Sequence, residues 1–323
     1  MTPEQARLGA LKRFAVSITI LTVLGHAALG FEVALLQLFV CALTGYGVEL
    51  ILETVGAWSE NRRPAFMGGG FKQLLVFLLP AHITAFAIAM LLYSPDRLLP
   101  GAFAAVIAIT SKSIFTITLG GRRRHFLNPS NLGLLVTIFA FPSITVAPTW
   151  EFTQGVSGHW KWILPALFIL FGTFINARFT KKLPLISAWL VAFVLQAVIR
   201  HLIYSTSLLA SLAPVTGVAF LLFTYYMITD PQTSPSSTSG QIIFGLTLGA
   251  TYGILIGLHV VFTIFVTLFV VCAARGAVLY LHQRVPVRKL QDMTLAWFGR
   301  ASALTSTAVS ARPDVTRVRA LDR

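Results

Sequence analysis

Long apolar runs, separated only by short polar segments, constrain this chain more than any motif does. They lie near residues 14–31, 33–52, 73–93, 99–119, 132–147, 162–176, 184–204, 212–229, 241–258 and 260–281. Each approaches the roughly 20 residues that an α-helix needs to cross about 30 Å of hydrocarbon. The runs predict an all-α fold, a polytopic transmembrane helix bundle of about ten spans. Residues 1–13 then form a short N-terminal segment, 14–282 the membrane domain and 283–323 a basic tail. The tail lacks sustained apolar periodicity and its composition fits disorder, although Leu290, Met293, Trp297 and Phe298 could share one face of an interfacial helix.

Composition agrees. Only 11% of the residues are charged and the mean hydropathy is +0.78, whereas charged residues make up about 25% of a soluble domain. The formal net charge of +14 does not indicate nucleic acid, because the basic residues sit in short clusters between apolar runs, as topology signals do. Counting from a cytoplasmic N-terminus, the inner segments hold Arg7, Lys12 and Arg13, then Arg62, Arg63 and Lys72, then Arg122, Arg123 and Arg124, then Arg178, Lys181 and Lys182, and finally the tail. The outer segments hold Arg97, Lys161 and Arg200. This asymmetry places both termini inside. The first run is long for a signal-peptide core and no small-residue cleavage site follows it, so it reads as the first membrane helix.

Ionisable residues within the spans are functional suspects, because a charge at the bilayer centre costs about 2.5–3.5 kcal/mol even on the most forgiving scale. Glu49 and Lys112 are two of these, candidates for ion or proton coupling. Either they neutralise each other between the second and fourth helices, or Glu49 lies at the interface and Lys112 snorkels. Cys41 and Cys272 fall in separate spans and form no ligand pattern, so they read as packing residues. His26 and His82 could face each other at one depth as haem ligands, but hydrogen bonding between helices is the simpler reading. No phosphate-binding Gly-rich loop or nucleophile elbow is present.

Two polar breaks interrupt the apolar pattern. The first is Gly120-Gly121-Arg122-Arg123-Arg124-His125-Phe126-Leu127-Asn128-Pro129-Ser130-Asn131-Leu132-Gly133, and the second Met227-Ile228-Thr229-Asp230-Pro231-Gln232-Thr233-Ser234-Pro235. Backbone leaves the helix at membrane depth only where protein or a lined cavity satisfies it. Pro129 suits the first turn of a helix and Asn128 or Asn131 can cap its free amides. The resulting N-terminus favours an electron-rich group, and Arg124 and His125 strengthen that field. Asp230-Pro231 is expected to repeat the device, with hydroxyls from Thr229 and Thr233. Each break is equally readable as a well-capped turn beside a topology cluster.

The spelling of the breaks resembles the two signatures of the NqrB/RnfD family, membrane subunits of ion-pumping NADH:quinone and ferredoxin:NAD oxidoreductases. The first signature corresponds to Gly-Gly, basic residues and Phe126-x-Asn128-Pro129-x-x-x-Gly133. The second corresponds to Ile228-Thr229-Asp230-Pro231-x-Thr233 followed by Gly240 and Phe244-Gly245. The likeness covers roughly residues 10–282. It implies an electron-transport role in a bacterial inner membrane, with redox partner subunits and a flavin or quinone held near Arg124, His125, Asn128, Pro129, Asn131, Thr229, Asp230 and Thr233. That family carries Ser-Gly-Ala-Thr between its signatures, the threonine bearing flavin mononucleotide. Here the sequence is Val156-Ser157-Gly158-His159-Trp160, so the resemblance implies a noncovalent riboflavin or FMN. Leu79-Pro80-Ala81-His82-Ile83-Thr84 and Tyr225-Tyr226-Met227 resemble the UnbU-type sub-branch, encoded with enediyne biosynthesis enzymes. Three readings follow: a redox subunit, a transporter of an ion or pathway product, and a scaffold for biosynthetic enzymes.

Overall fold

The computed structural model describes residues 3–119, 121–147 and 155–284. The chain divides into two compact units, Met1–Gly276 and Ala277–Arg323. Of the second, only the end of the last helix is described, so the expectation for the basic tail lies outside the described residues.

Apolar side chains and a backbone that must satisfy itself in lipid leave the helix as the default conformation. In chain order the helices are α1 (Pro3–Leu24), α2 (Leu35–Ser59), α3 (Gly70–Leu91), α4 (Leu99–Ile114), α5 (Pro129–Ala140), α6 (Trp160–Ile175), α7 (Leu183–Tyr204), α8 (Leu208–Leu212), α9 (Val218–Leu222), α10 (Thr238–Gly257) and α11 (Thr263–Arg284). Single π-helical turns follow α1, α6 and α9, at Gly25–Leu29, Asn176–Thr180 and Phe223–Met227. Large apolar side chains such as Leu43, Ile51, Leu170, Val191, Leu202 and Ile254 point outward, the reverse of a water-soluble surface.

All ten apolar runs fall on helix. Among the described residues, seven helical stretches are long and apolar enough to cross a membrane. An eighth is reached if Leu208–Val215 and Phe220–Met227, bent by 66° relative to each other, are one broken span. The remaining two, α4 and α5, have 16 and 12 residues, short of the roughly 20 that a straight crossing needs.

Three details differ from the sequence expectation. The first helix starts at Pro3, so most of the N-terminal segment 1–13 continues into α1. The fold is not purely helical: β1 (Leu92–Tyr93) pairs with β4 (Thr145–Val146), and β2 (Thr116–Leu119) pairs with β3 (Arg122–His125), both antiparallel. The run at 99–119 therefore leaves the helix at Ile114. Thr-Ile-Thr-Leu supplies β-branched residues, and the Leu119–Arg122 pairing leaves a two-residue connection with Gly121 at φ +74°, as tight hairpins require.

Close packing holds the bundle. α7 and α10 meet along Gly245, Gly249 and Gly253, which face Leu185, Ala188, Ala192 and Gln196. Spacing by four keeps these glycines on one face and lets the backbones approach. α4 and α5 meet in the same way, with Gly133 against Ala104 and Ala108. Trp189, Phe193, Phe220, Phe223 and Tyr252 fill the centre between α7, α9 and α10. Cys41 and Cys272 are buried and free, as packing residues.

Candidate functional site

The two breaks meet. Asn128 caps α5: its Oδ1 accepts from the Asn131 backbone N–H at 3.1 Å and from the Ser130 hydroxyl at 2.9 Å. Pro129 occupies the first turn, where its missing N–H costs nothing. The other end of the Asn128 carboxamide donates across the bundle to the Met227 carbonyl at 3.3 Å, and Asn131 Nδ2 donates to the Phe265 carbonyl at 3.0 Å. The two Asn side chains thus tie the start of α5 to the π-helical turn of the second break and to α11.

The second break is not the helix start that the sequence led us to expect. α10 begins at Thr238, capped by Ser237, whose hydroxyl accepts from the Gly240 N–H. Asp230-Pro231 instead opens a tight turn. Asp230 Oδ1 accepts from the Gln232 N–H at 3.1 Å and Oδ2 from the Thr233 hydroxyl at 3.2 Å. The physical reason is that Asp can cap a turn as well as a helix, and the polar residues through Ser237 delay the next helix. Thr229 is buried and returns its hydroxyl to the Tyr225 carbonyl.

Charges converge on this turn. His125, at the end of β3, lies 3.7 Å from the Asp230 carboxylate. Lys112 on α4 sits 3.6 Å from Glu49 on α2 and donates to the Pro80 carbonyl at 3.1 Å. Arg275 on α11 donates to the Thr233 carbonyl at 2.9 Å, and Lys182 to the Pro235 carbonyl at 2.5 Å. Burial pushes the Asp230 carboxyl up, but His125, the Gln232 N–H and the Thr233 hydroxyl outweigh it and hold the group below its usual value. Burial likewise pushes the Lys182 ammonium down to about 8; Asp230 opposes the shift, while Arg275 and Arg124 add to it.

The Lys182 shift has a measurable consequence. Between about 8 and its ordinary 10.5 the unfolded chain binds this proton and the folded chain does not, so stability is lowest at and below pH 8 and rises with pH across that window. The difference in unfolding temperature between the intact protein and Lys182→Met is expected to change from pH 8 to pH 10, with the intact protein gaining on the variant. A constant difference contradicts the buried placement.

Of the residues singled out in the sequence, Arg124, His125, Asn128, Pro129, Asn131, Thr229, Asp230 and Thr233 come together around these two breaks. Glu49 and Lys112 form an ion pair beside them. Lys182 and Arg275 belong to the same cluster and were missed: Lys182 stands in a basic cluster that reads as a topology signal, and Arg275 lies near the end of an apolar run, where a cation can snorkel. His82 on α3 bonds Thr19 of α1 at 2.8 Å and Tyr46 of α2 at 2.6 Å, whereas His26 bonds the Thr22 carbonyl through Nδ1 and keeps a buried, unpartnered Nε2. Among the described residues no group of His, Cys, Asp and Glu could hold a metal.

The flavin implied by the resemblance can be tested against the donors that remain. Asn128 accepts twice at Oδ1 and donates once from Nδ2, and Asn131 donates once from Nδ2, so each NH2 keeps one N–H and Asn131 also keeps a buried, unpartnered Oδ1. The cavity beside the Glu49–Lys112 pair, lined also by Leu52, Glu53, Phe77 and Ser113, holds about 120 Å³. A benzene-sized guest occupies about 150 Å³ and ligand pockets start near 300 Å³. That cavity is too small for a three-ring isoalloxazine, and Asn128 and Asn131, both buried, act as braces between the two breaks and α11.

The apolar helices define the class, a multi-pass membrane protein. No protein-family model matches the chain, and no curated protein matches it significantly.

Proposed function

We propose that the chain is a subunit of an electron-transferring assembly in a bacterial cytoplasmic membrane, in the manner of NqrB/RnfD proteins. Its own part is to couple electron movement in partner subunits to a proton or ion. The observation that supports this is the row of ionisable groups Glu49, Lys112, Asp230 and His125, joined at its two ends by contacts of 3.6 and 3.7 Å and lying where two interrupted segments meet. Burying four such groups is costly unless each is compensated, and chains of this kind mark proton and ion paths in membranes. Protonating Glu49 removes the counter-charge of Lys112, which then leans on Asp230. A charge arriving at one end is thereby felt at the other. In this reading the electrons move in the partner subunits, and a quinone would arrive from the bilayer as substrate. If the UnbU-type likeness holds, those electrons serve an enediyne-type pathway.

The test is proton uptake into vesicles containing the purified protein, driven by a potassium diffusion potential and read by an internal pH dye. Glu49→Gln is expected to slow uptake by about tenfold or more, in line with the 10²–10⁴-fold that a positioned proton-transfer group typically contributes. Equal rates in the two proteins contradict the relay.

A second reading is favoured by the 66° bend between Leu208–Val215 and Phe220–Met227. Broken helices are how transporters build midplane sites. Solute or sodium flux that persists in Glu49→Gln would select this reading.

A further inference from the structure

The cations around the second break outnumber the carboxylates. Lys112 is matched by Glu49, and Asp230 lies against His125, which leaves Arg124, Lys182 and Arg275 with no described carboxylate at salt-bridge distance. They lie close enough that Arg124 and Arg275 both repel Lys182. Lys182 and Arg275 donate to carbonyls two residues apart, at Pro235 and Thr233, and such carbonyls are separated by at most about 7 Å. Lys182 is only 4% exposed, a depth at which an unmatched ammonium is expensive. Lysine has three donors and arginine five, so one hydrogen bond apiece leaves both cations with capacity. Arg124 is half-buried, adjoins His125, which lies 3.7 Å from Asp230, and makes no side-chain hydrogen bond within the described residues.

We propose that Arg124, Lys182 and Arg275 form a phosphate-binding site, which takes the phosphoryl group of an anionic phospholipid or of a soluble phosphate. A carboxylate would cancel one of the three charges. A phosphate monoester carries about −1.5 to −2 near neutral pH and offers three acceptor oxygens, and the arginine fork matches it in pairs. The bound group would also lock the turn 230–235, since two of its ligands already hold that turn's carbonyls. This site goes beyond the proton relay, because it uses the cations the relay leaves over.

The test uses the full-length protein and reads its unfolding temperature. In detergent, inorganic phosphate added at constant ionic strength is expected to raise it in a dose-dependent way, as any ligand of the folded state does. Lys182→Gln and Arg275→Gln should abolish the rise, Lys182→Arg should keep most of it, and Glu49→Gln should keep it entirely, which separates this site from the relay. In phosphatidylcholine nanodiscs, a rise on adding phosphatidic acid, whose headgroup is a phosphate monoester, that exceeds the rise with inorganic phosphate identifies a lipid headgroup; the opposite order identifies a soluble ligand. A response no larger than that to chloride, or Gln variants that respond like the intact protein, overturns the proposal. If the Gln variants do not fold, phosphorus NMR of the intact protein with phosphate decides, a shifted bound resonance supporting the site and its absence overturning it.

Discussion

The Gly249→Val variant is expected to yield no monodisperse protein in detergent, the largest effect of any single substitution considered. A Cβ at this position would overlap Ala192, both its side chain and its backbone, and at neighbouring Gly245 a Cβ would stand 2.7 Å from the Leu185 carbonyl oxygen and 2.9 Å from the Trp189 nitrogen. These obstacles are backbone atoms that cannot rotate away. Relief requires α7 and α10 to separate, which strips Trp189 of its contacts with Tyr252 and disturbs the aromatic centre. Overpacking in a core costs typically 1–3 kcal/mol and occasionally more. Between membrane helices the penalty is steeper in its consequence, because close contact and not solvent exclusion drives association. Gly257→Val on the same helix is the control, since a Cβ there meets nothing within 4 Å; it should purify normally. If Gly249→Val elutes as a sharp peak with an unchanged unfolding temperature, the α7–α10 packing described here is wrong.

What the sequence revealed and what it hid have physical explanations. The apolar runs were readable because lipid leaves the backbone few options, and each run holds helix over most of its length, those at 99–119 and 132–147 ending in short strands. The Asn128-Pro129 start of α5 was readable because cap and first-turn proline act within four residues. Asp230-Pro231 was misread as a second helix start, since the same dipeptide serves a turn, and the choice was made by residues up to Ser237. The β2–β3 hairpin was hidden because Thr116–Leu119 extends the apolar run of α4 and Arg122–His125 reads as a topology cluster, although Thr116, Thr118 and the Gly120-Gly121 pair signalled it. Lys182 and Arg275 could not be assigned at all. Their partners, the Pro235 and Thr233 carbonyls, are 53 and 42 residues away in sequence, and a backbone carbonyl leaves no mark in composition.

Glu49→Gln is expected to destabilise the protein by about 3 kcal/mol, and the loss should be largely undone by adding Lys112→Met. Removing one partner of a buried ion pair leaves the other charge uncompensated, at roughly 3–5 kcal/mol. The lower end applies because the Lys112 and Glu49 side chains stay 12% and 21% exposed. Replacing both removes the uncompensated charge along with the attraction, and a pair replaced by neutral groups of similar size is often no less stable than the original. The Pro80 carbonyl that Lys112 holds keeps its bond from the Thr84 hydroxyl at 2.8 Å, so the double variant abandons no acceptor. Thermal unfolding of the four proteins gives the interaction energy directly. Additive effects would mean that the two side chains are solvated separately, Glu49 at the interface and Lys112 snorkelling. A restored unfolding temperature with proton uptake still abolished is the informative combination: the pair would then be dispensable for holding α2 to α4, and its persistence in a lipid-embedded bundle would rest on charge movement.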